Sequence, residues 1–272
     1  MSREVTARMG TSADVPPVWT SVLAVIAHPD EASSGLGAIL DAFVFAGAKV
    51  DVLCLTHGQA WTLQGAPGDL AALRGAELAS TADVLGPVRA KMSVDGLSPI
   101  RAKMQDWADG TLCEVCQSRL AAEVVVAADS CHPDGLLVLD TAAVTGHFEH
   151  VATLAAAMLA AETLDAPVLG WALSEAVAAQ LKQESRADLI GRQGEDIDLR
   201  MSFEYARQRL ASHALQGLAV PGSARWRLLE LLADGGSLRW LRPPGLRRSR
   251  PLRSSSKPAN RCRSCPTTTP GC

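Results

Sequence analysis

Aromatic residues are scarce in this 272-residue chain, at 4%, with one tyrosine and four phenylalanines. No apolar run approaches the roughly 18–20 residues that cross a bilayer, which excludes a membrane-spanning reading. The first twenty residues mix Arg3, Glu4, Arg8 and Asp14 with no continuous apolar stretch before a cleavage site, so a secretory leader is not expected. Cysteine is sparse and odd in number: of seven, Cys54, Cys113, Cys116 and Cys131 lie in the body and Cys262, Cys265 and Cys272 near the carboxyl end. That density excludes a disulfide-stapled scaffold, and the expectation is a cytoplasmic protein with reduced thiols. The glycines of Gly35-Leu-Gly37 are too few for a dinucleotide fingerprint, so no organic cofactor is expected. Repetition is confined to Val88-Arg-Ala-Lys-Met92, which returns as Ile100-Arg-Ala-Lys-Met104. Two copies do not make a repeat architecture, and the segment reads as a local duplication or surface loop without functional meaning.

What is present is 47% hydrophobic and 20% charged, the composition of a globular chain with a real core. The net charge of −3 conceals an asymmetry, because the eight bases from Arg242 to Arg263 face no acid within residues 242–272. Upstream, 18 bases meet 29 acids, a balance of −11 that should repel nucleic acid. Three parts are expected: a flexible leader at 1–20, one domain at 21–241, and a disordered basic Pro/Arg/Ser-rich tail at 242–272. Within the domain, apolar runs at 22–27, 49–55, 135–140 and 167–171 read as strands. Helical patterns cover 35–47, 69–85, 111–128 and 147–163. Alternating strand and helix predicts an α/β class, a Rossmann-like three-layer fold with a mostly parallel sheet.

All six histidines are candidates, because imidazole is the commonest metal ligand and titrates near neutrality. His28 stands in Ala27-His28-Pro29-Asp30-Glu31 directly after the first strand, at the carboxyl end where open α/β sheets place their ligands. A second cluster, Gly146-His147-Phe148-Glu149-His150, opens the Ala-rich helix. Residues 147 and 150 share a helix face there, and Glu149 is close enough to back a ligand. Converging, the two clusters offer two histidines, a carboxylate and an open fourth position, the ligand set of a hydrolytic zinc site. His57 reads as a rim or structural residue, His132 as a loop residue, and His213 as either packing or pocket mouth. Cys113-Glu-Val-Cys116 and Cys262-Arg-Ser-Cys265 are too far apart for a four-thiolate zinc site. The first pair also falls inside the expected helix 111–128, without the strand-to-helix placement of a redox motif.

Taken in order, these residues resemble the LmbE-like (PIG-L) zinc-dependent N-deacetylases, a family that includes mycothiol-pathway and amino-sugar deacetylases. Ala27-His28-Pro29-Asp30-Glu31 looks like the family's A-H-P-D-D-E segment, Thr56-His57-Gly58 like its T-x-G turn, and Arg74-Gly-Ala-Glu77-Leu78 with Leu85-Gly86 like its R-x-x-E-L…L-G helix. Asp109-Gly110 resembles its D-G loop, Thr145-Gly-His147-Phe-Glu149-His150 its T-G-H-P-D-H motif, and Ser212-His213-Ala-Leu-Gln216 its H-x-S-Q segment. The resemblance implies that His28, Glu31 and His150 bind one zinc or another divalent ion. It further implies Asp30 as general base, His147 as the group that polarises the amide carbonyl, Glu149 as an outer partner tuning His147, and Arg74 and Asp109 as holders of sugar hydroxyls. Glu31 replaces the family's ligating aspartate and Ala32 the following glutamate, so one extra methylene must be absorbed by a rotamer or a shifted metal. The implied activity is metal-dependent hydrolysis of the acetamide of an N-acetylglucosaminyl-type small molecule. Alternatives are a mycothiol-conjugate amidase, a natural-product tailoring deacetylase, or a degenerate sugar-binding member. A homo-oligomer is compatible with all of them, and neither a membrane nor a nucleic-acid partner is expected.

Overall fold

The run from Val22 to Ala27 offers water no polar face, and in the computed structural model it is buried throughout. The structure describes residues 17–58, 76, 100–107, 110–141, 147–185, 189–201, 224–232 and 235–245. The chain runs through β1 (Ser21–Ile26), a single turn α1 (Glu31–Ser34), α2 (Gly37–Phe45), β2 (Lys49–Thr56) and β3 (Ile100–Trp107). A 3-10 turn (Leu112–Glu114), α3 (Gln117–Cys131), β4 (Gly135–Leu139), α4 (Phe148–Leu164), β5 (Val168–Ala172) and α5 (Glu175–Ser185) follow. The last described elements are β6 (Leu199–Met201), α6 (Ala224–Leu231) and β7 (Gly236–Arg242).

Among the described residues the sheet has seven strands, in the order β3-β2-β1-β4-β5-β7-β6. The first five are parallel, while β7 runs antiparallel to β5 and carries β6 antiparallel on its far side. This is the expected α/β class with a mostly parallel sheet. Val22, Ala24 and Ile26 of β1 face Ile39, Leu40 and Phe43 of α2 on one side. Leu23, Val25 and Ala27 face Leu120, Val124, Ala156 and Ala160 of α3 and α4 on the other. Each fully buried aliphatic side chain contributes about 1.5–3 kcal/mol, so the central strands anchor the fold. No helix among the described residues is long and apolar enough to cross a membrane.

Two expectations are corrected. The second copy of the duplicated segment, from Ile100, is no surface loop: it forms β3 and pairs in parallel with β2 from Val50↔Ile100 to Thr56↔Trp107. Among the described residues β3 stands at the sheet's edge, and the charges in its sequence suit that place, which the apolar-run criterion overlooks. The helix expected over 111–128 begins only at Gln117, because Val115 and Cys116 are extended, with ψ of 136° and 125°, and Cys116 is the N-cap. It continues to Cys131 and stops where His132 takes a left-handed conformation, φ 48°. The helix 69–85, the first copy at 88–92, and the tail beyond residue 245 lie outside the described residues.

The strand order reverses at β1: the chain leaves it toward β2 and β3, then returns to β4 on its other edge. Carboxyl ends of strands at such a reversal frame a crevice, and His28 and residue 147 flank this one.

Candidate metal and catalytic site

Beyond β1 the backbone turns sharply into α1, and the first residue of α1 folds back on the turn. Glu31 Oε1 accepts the N–H of Ala27 at 3.0 Å and of His28 at 2.7 Å. The neighbouring strand holds the same corner, with Thr56 donating both its N–H (3.0 Å) and its hydroxyl (2.8 Å) to the carbonyl of Ala27. Gly58, at φ +65°, closes the T-x-G turn against Pro29, where a Cβ would stand 3.1 Å from the proline ring. His57 sits in this turn, between Thr56 and Gly58.

Opposite, His147 is the N-cap of α4, and Glu149 and His150 occupy its first turn. Glu149 is 1% exposed and both its oxygens are engaged: Oε2 lies 2.8 Å from His28 Nε2, while Oε1 accepts the N–H of Gly110 at 2.8 Å and of Leu112 at 3.3 Å. The carboxylate therefore joins α4, the loop after β3 and the end of β1. Glu149 thus serves His28, a role beside the tuning of His147 that the resemblance implies. An Nε2–H donated to Glu149 leaves the Nδ1 lone pair of His28 aimed at His150 and Glu31, the carboxylate–histidine arrangement of metal sites.

Three donor atoms then meet. His28 Nδ1 is 3.2 Å from His150 Nε2 and 3.3 Å from Glu31 Oε1, and His150 Nε2 is 3.2 Å from the same oxygen. Ligands at the corners of a tetrahedron around a zinc ion, at about 2.0–2.1 Å each, stand roughly 3.3–3.4 Å apart, so this triangle fits such an ion. Glutamate's extra methylene is absorbed by the fold-back over the Ala27 and His28 amides. A second grouping, His28 with His147 and Glu149, also has donor atoms within 4.8 Å of one another. It is the weaker candidate, because an Nε2–H donated by His28 to Glu149 leaves no lone pair on that nitrogen for an ion. Burial by itself would raise the Glu31 pKa, but His150 and His28 outweigh it and hold the carboxyl far below its ordinary range. It is a fixed negative charge facing two imidazoles.

Asp30 is the half-buried N-cap residue of α1, beside Glu31 in the chain. The His147 ring lies 5.6 Å from that of His28 and 5.1 Å from that of His150, centroid to centroid, and stacks on Phe148 at 4.5 Å. Phe148, where the resembled motif has proline, thus fixes the ring plane of His147. Arg74, Asp109 and His213 lie outside the described residues. His132 caps α3, at the amino-end side of β4 and away from this crevice.

One polar cluster at the sheet's carboxyl edge escaped sequence reading. Asp140, 1% exposed at the end of β4, receives a two-pronged contact from Arg192, Nε to Oδ2 at 3.0 Å and Nη2 to Oδ1 at 3.1 Å. Arg239 Nη1 stands 3.7 Å from Oδ2. The available signal was an acid ending an otherwise apolar strand, although nothing in the sequence pointed to its partners.

A family model described as PIG-L, GlcNAc-PI de-N-acetylase, matches residues 23–161. No curated protein sequence matches the chain. Among solved structures, the A40926 pseudoaglycone deacetylase Dbv21 superposes with a TM-score of 0.58 at 18% identity, covering 81% of this chain and 96% of that one. The N,N'-diacetylchitobiose deacetylase of Pyrococcus horikoshii gives 0.55 at 15% identity, over 84% and 85% of the two chains. The 4-carboxy-2-hydroxymuconate hydratase GalB of Pseudomonas putida KT2440 gives 0.57 at 13% identity, over 86% and 100%. At such identities the likeness establishes the fold, and the chemistry must be argued from residues.

Proposed function

The chain belongs to the PIG-L family of de-N-acetylases, and from that premise we propose that it is a metal-dependent N-deacetylase hydrolysing the acetamide of a small N-acetylglucosaminyl-type amino sugar. The observation that carries this reading is the triangle of His28 Nδ1, Glu31 Oε1 and His150 Nε2, with mutual distances of 3.2–3.3 Å. A divalent ion such as zinc, held by these three groups, would supply Lewis acidity and a water made acidic enough to attack near neutrality.

The remaining tasks fall to the chain's own side chains. Asp30, next to Glu31 at the mouth of the turn, takes the proton of the attacking water and returns it to the leaving amine. His147, held flat against Phe148, donates a hydrogen bond to the amide oxygen as negative charge gathers there. Glu149 holds the His28 ring by Nε2 and so keeps Nδ1 directed at the ion. Arg74 and Asp109 grip the hydroxyls of the sugar. Two structural neighbours named as deacetylases, one of them for N,N'-diacetylchitobiose, accord with an acetylated sugar as substrate. The reach of Glu31 into the triangle argues against the degenerate, non-catalytic alternative.

The test is metal content by mass spectrometry, paired with a deacetylation screen on N-acetylglucosamine glycosides and pseudodisaccharides. About one divalent ion per chain is expected, lost in Glu31→Ala, with acetate released by the wild type alone. Asp30→Ala should keep the ion and lose turnover by at least about 100-fold. A metal-loaded wild type that releases no acetate from any N-acetyl sugar would overturn the assignment.

A further inference from the structure

The start of α3 places Cys113 and Cys116 differently from the helical reading of the sequence. The pair stands between a parallel strand, β3, and the helix it leads into, Cys113 in the 3-10 turn and Cys116 as the N-cap of the 15-residue α3. Both are exposed free thiols. Cys116 Sγ lies 3.0 Å from the Ser118 hydroxyl. The hydroxyl and amide of Ser118 favour the thiolate and lower the Cys116 pKa, as amides at a helix start do. The same turn begins with Leu112, whose N–H makes the longer of the two backbone bonds to Glu149, 3.3 Å against 2.8 Å for Gly110. Cys113, an exposed thiol, directly follows the residue whose amide holds Glu149, the clamp on His28.

We propose that Cys113 and Cys116 form a redox-active dithiol, oxidised by a low-molecular-weight disulfide, and that closing it releases the Leu112 amide from Glu149. The Cys116 thiolate attacks one sulfur of the small disulfide; a mixed disulfide forms and one small thiol leaves, taking up a proton. Cys113, having given its proton to water, then attacks the Cys116 sulfur, forming the internal bond and expelling the second small thiol. Two electrons pass from the chain to the small disulfide, which ends as two thiols. A disulfide fixes the Cα separation, at about 4.4–6.8 Å, and the torsion of its two cysteines, and the adjustment it asks of the turn 112–115 falls first on the longer bond, Leu112 to Glu149. The effect on metal holding rests on the metal site proposed above; the dithiol and the amide release do not.

The full-length chain is treated with glutathione disulfide, then with dithiothreitol. After alkylation, peptide mass mapping should find a Cys113–Cys116 disulfide that dithiothreitol reverses. Hydrogen exchange at the Leu112 amide, measured without metal, should quicken on oxidation in the wild type and not in Cys116→Ser. In a zinc-competition titration the oxidised wild type should bind about tenfold more weakly, with Cys116→Ser unaffected. Failure of the internal disulfide to form in excess glutathione disulfide overturns the dithiol, and its formation with unchanged Leu112 exchange overturns the release. A reduced chain that binds no zinc sinks the metal-site reading instead, while mapping and exchange still decide this one.

Discussion

Glu149 has three hydrogen-bond donors pointed at its two oxygens: His28 Nε2–H, Gly110 N–H and Leu112 N–H. Glutamine has the same shape but only one acceptor oxygen, so its NH2 group must confront at least one of these donors. Glu149→Gln is therefore expected to leave the helix content unchanged and to weaken zinc binding by about 10–100-fold, measured against a chromogenic chelator. Unchanged affinity would show that the His28 ring is oriented without it. The two histidine clusters were legible in the sequence because a histidine beside acids after a strand, and two histidines three apart, are local patterns; the choice of Glu31 and His150 within them rested on the family resemblance. That Glu149 serves His28 was not legible, since the two lie 121 positions apart and only the fold brings them to 2.8 Å.

Elements meet at a few points where size alone decides stability. At the amino end of β4, the indole of Trp19 lies over Gly135 so closely that a Cβ there would fall 2.4 Å from the ring; the same indole stacks on Phe43 at 5.5 Å. Gly135→Ala must displace Trp19 and is expected to destabilise the fold by about 1–3 kcal/mol in urea denaturation, with Trp19→Leu/Gly135→Ala recovering part of the loss. A different contact joins α5 to α6, where Arg227 grips Glu184 at 2.6 Å and 3.1 Å, and Glu230 at 3.0 Å. The guanidinium hydrogen bonds hold the Glu184 carboxyl down to about 2. Because the folded pKa is depressed, whatever this exposed clasp contributes is complete above about pH 4.5 and disappears as pH falls toward 2. An NMR titration giving Glu184 an ordinary midpoint near 4.5 would show the clasp unformed. The strands of the apolar parallel core were readable because both their faces are buried and their sequences are continuous runs. β3 was missed for the opposite reason: at the edge of the described sheet, its sequence carries charge. β6 and β7 were missed because their pairing partners, rather than a run of their own, define them.

Across the whole molecule, Asp140 couples the end of β4 to the segment after α5 through Arg192 and approaches β7 through Arg239. Arg192→Met leaves that buried carboxylate with Arg239 alone and should cost about 3 kcal/mol, whereas Arg239→Met should cost far less; equal losses from both would contradict the geometry. The sheet is also closed late. β5 is bordered on one side by β4 and on the other by β7, whose residues Gly236–Arg242 form the last described strand. β6 has no described strand partner except β7. During synthesis, every strand from β1 to β5 leaves the ribosome before the segment that covers the β5 edge exists. Until residue 242 emerges, the nascent sheet presents the open backbone of Val168–Ala172 to its surroundings, and a second nascent chain can pair with it as readily as β7 later does. Ribosomes stalled before codon 236 should therefore yield chains that bind holdase chaperones and aggregate, while those released after residue 245 should not.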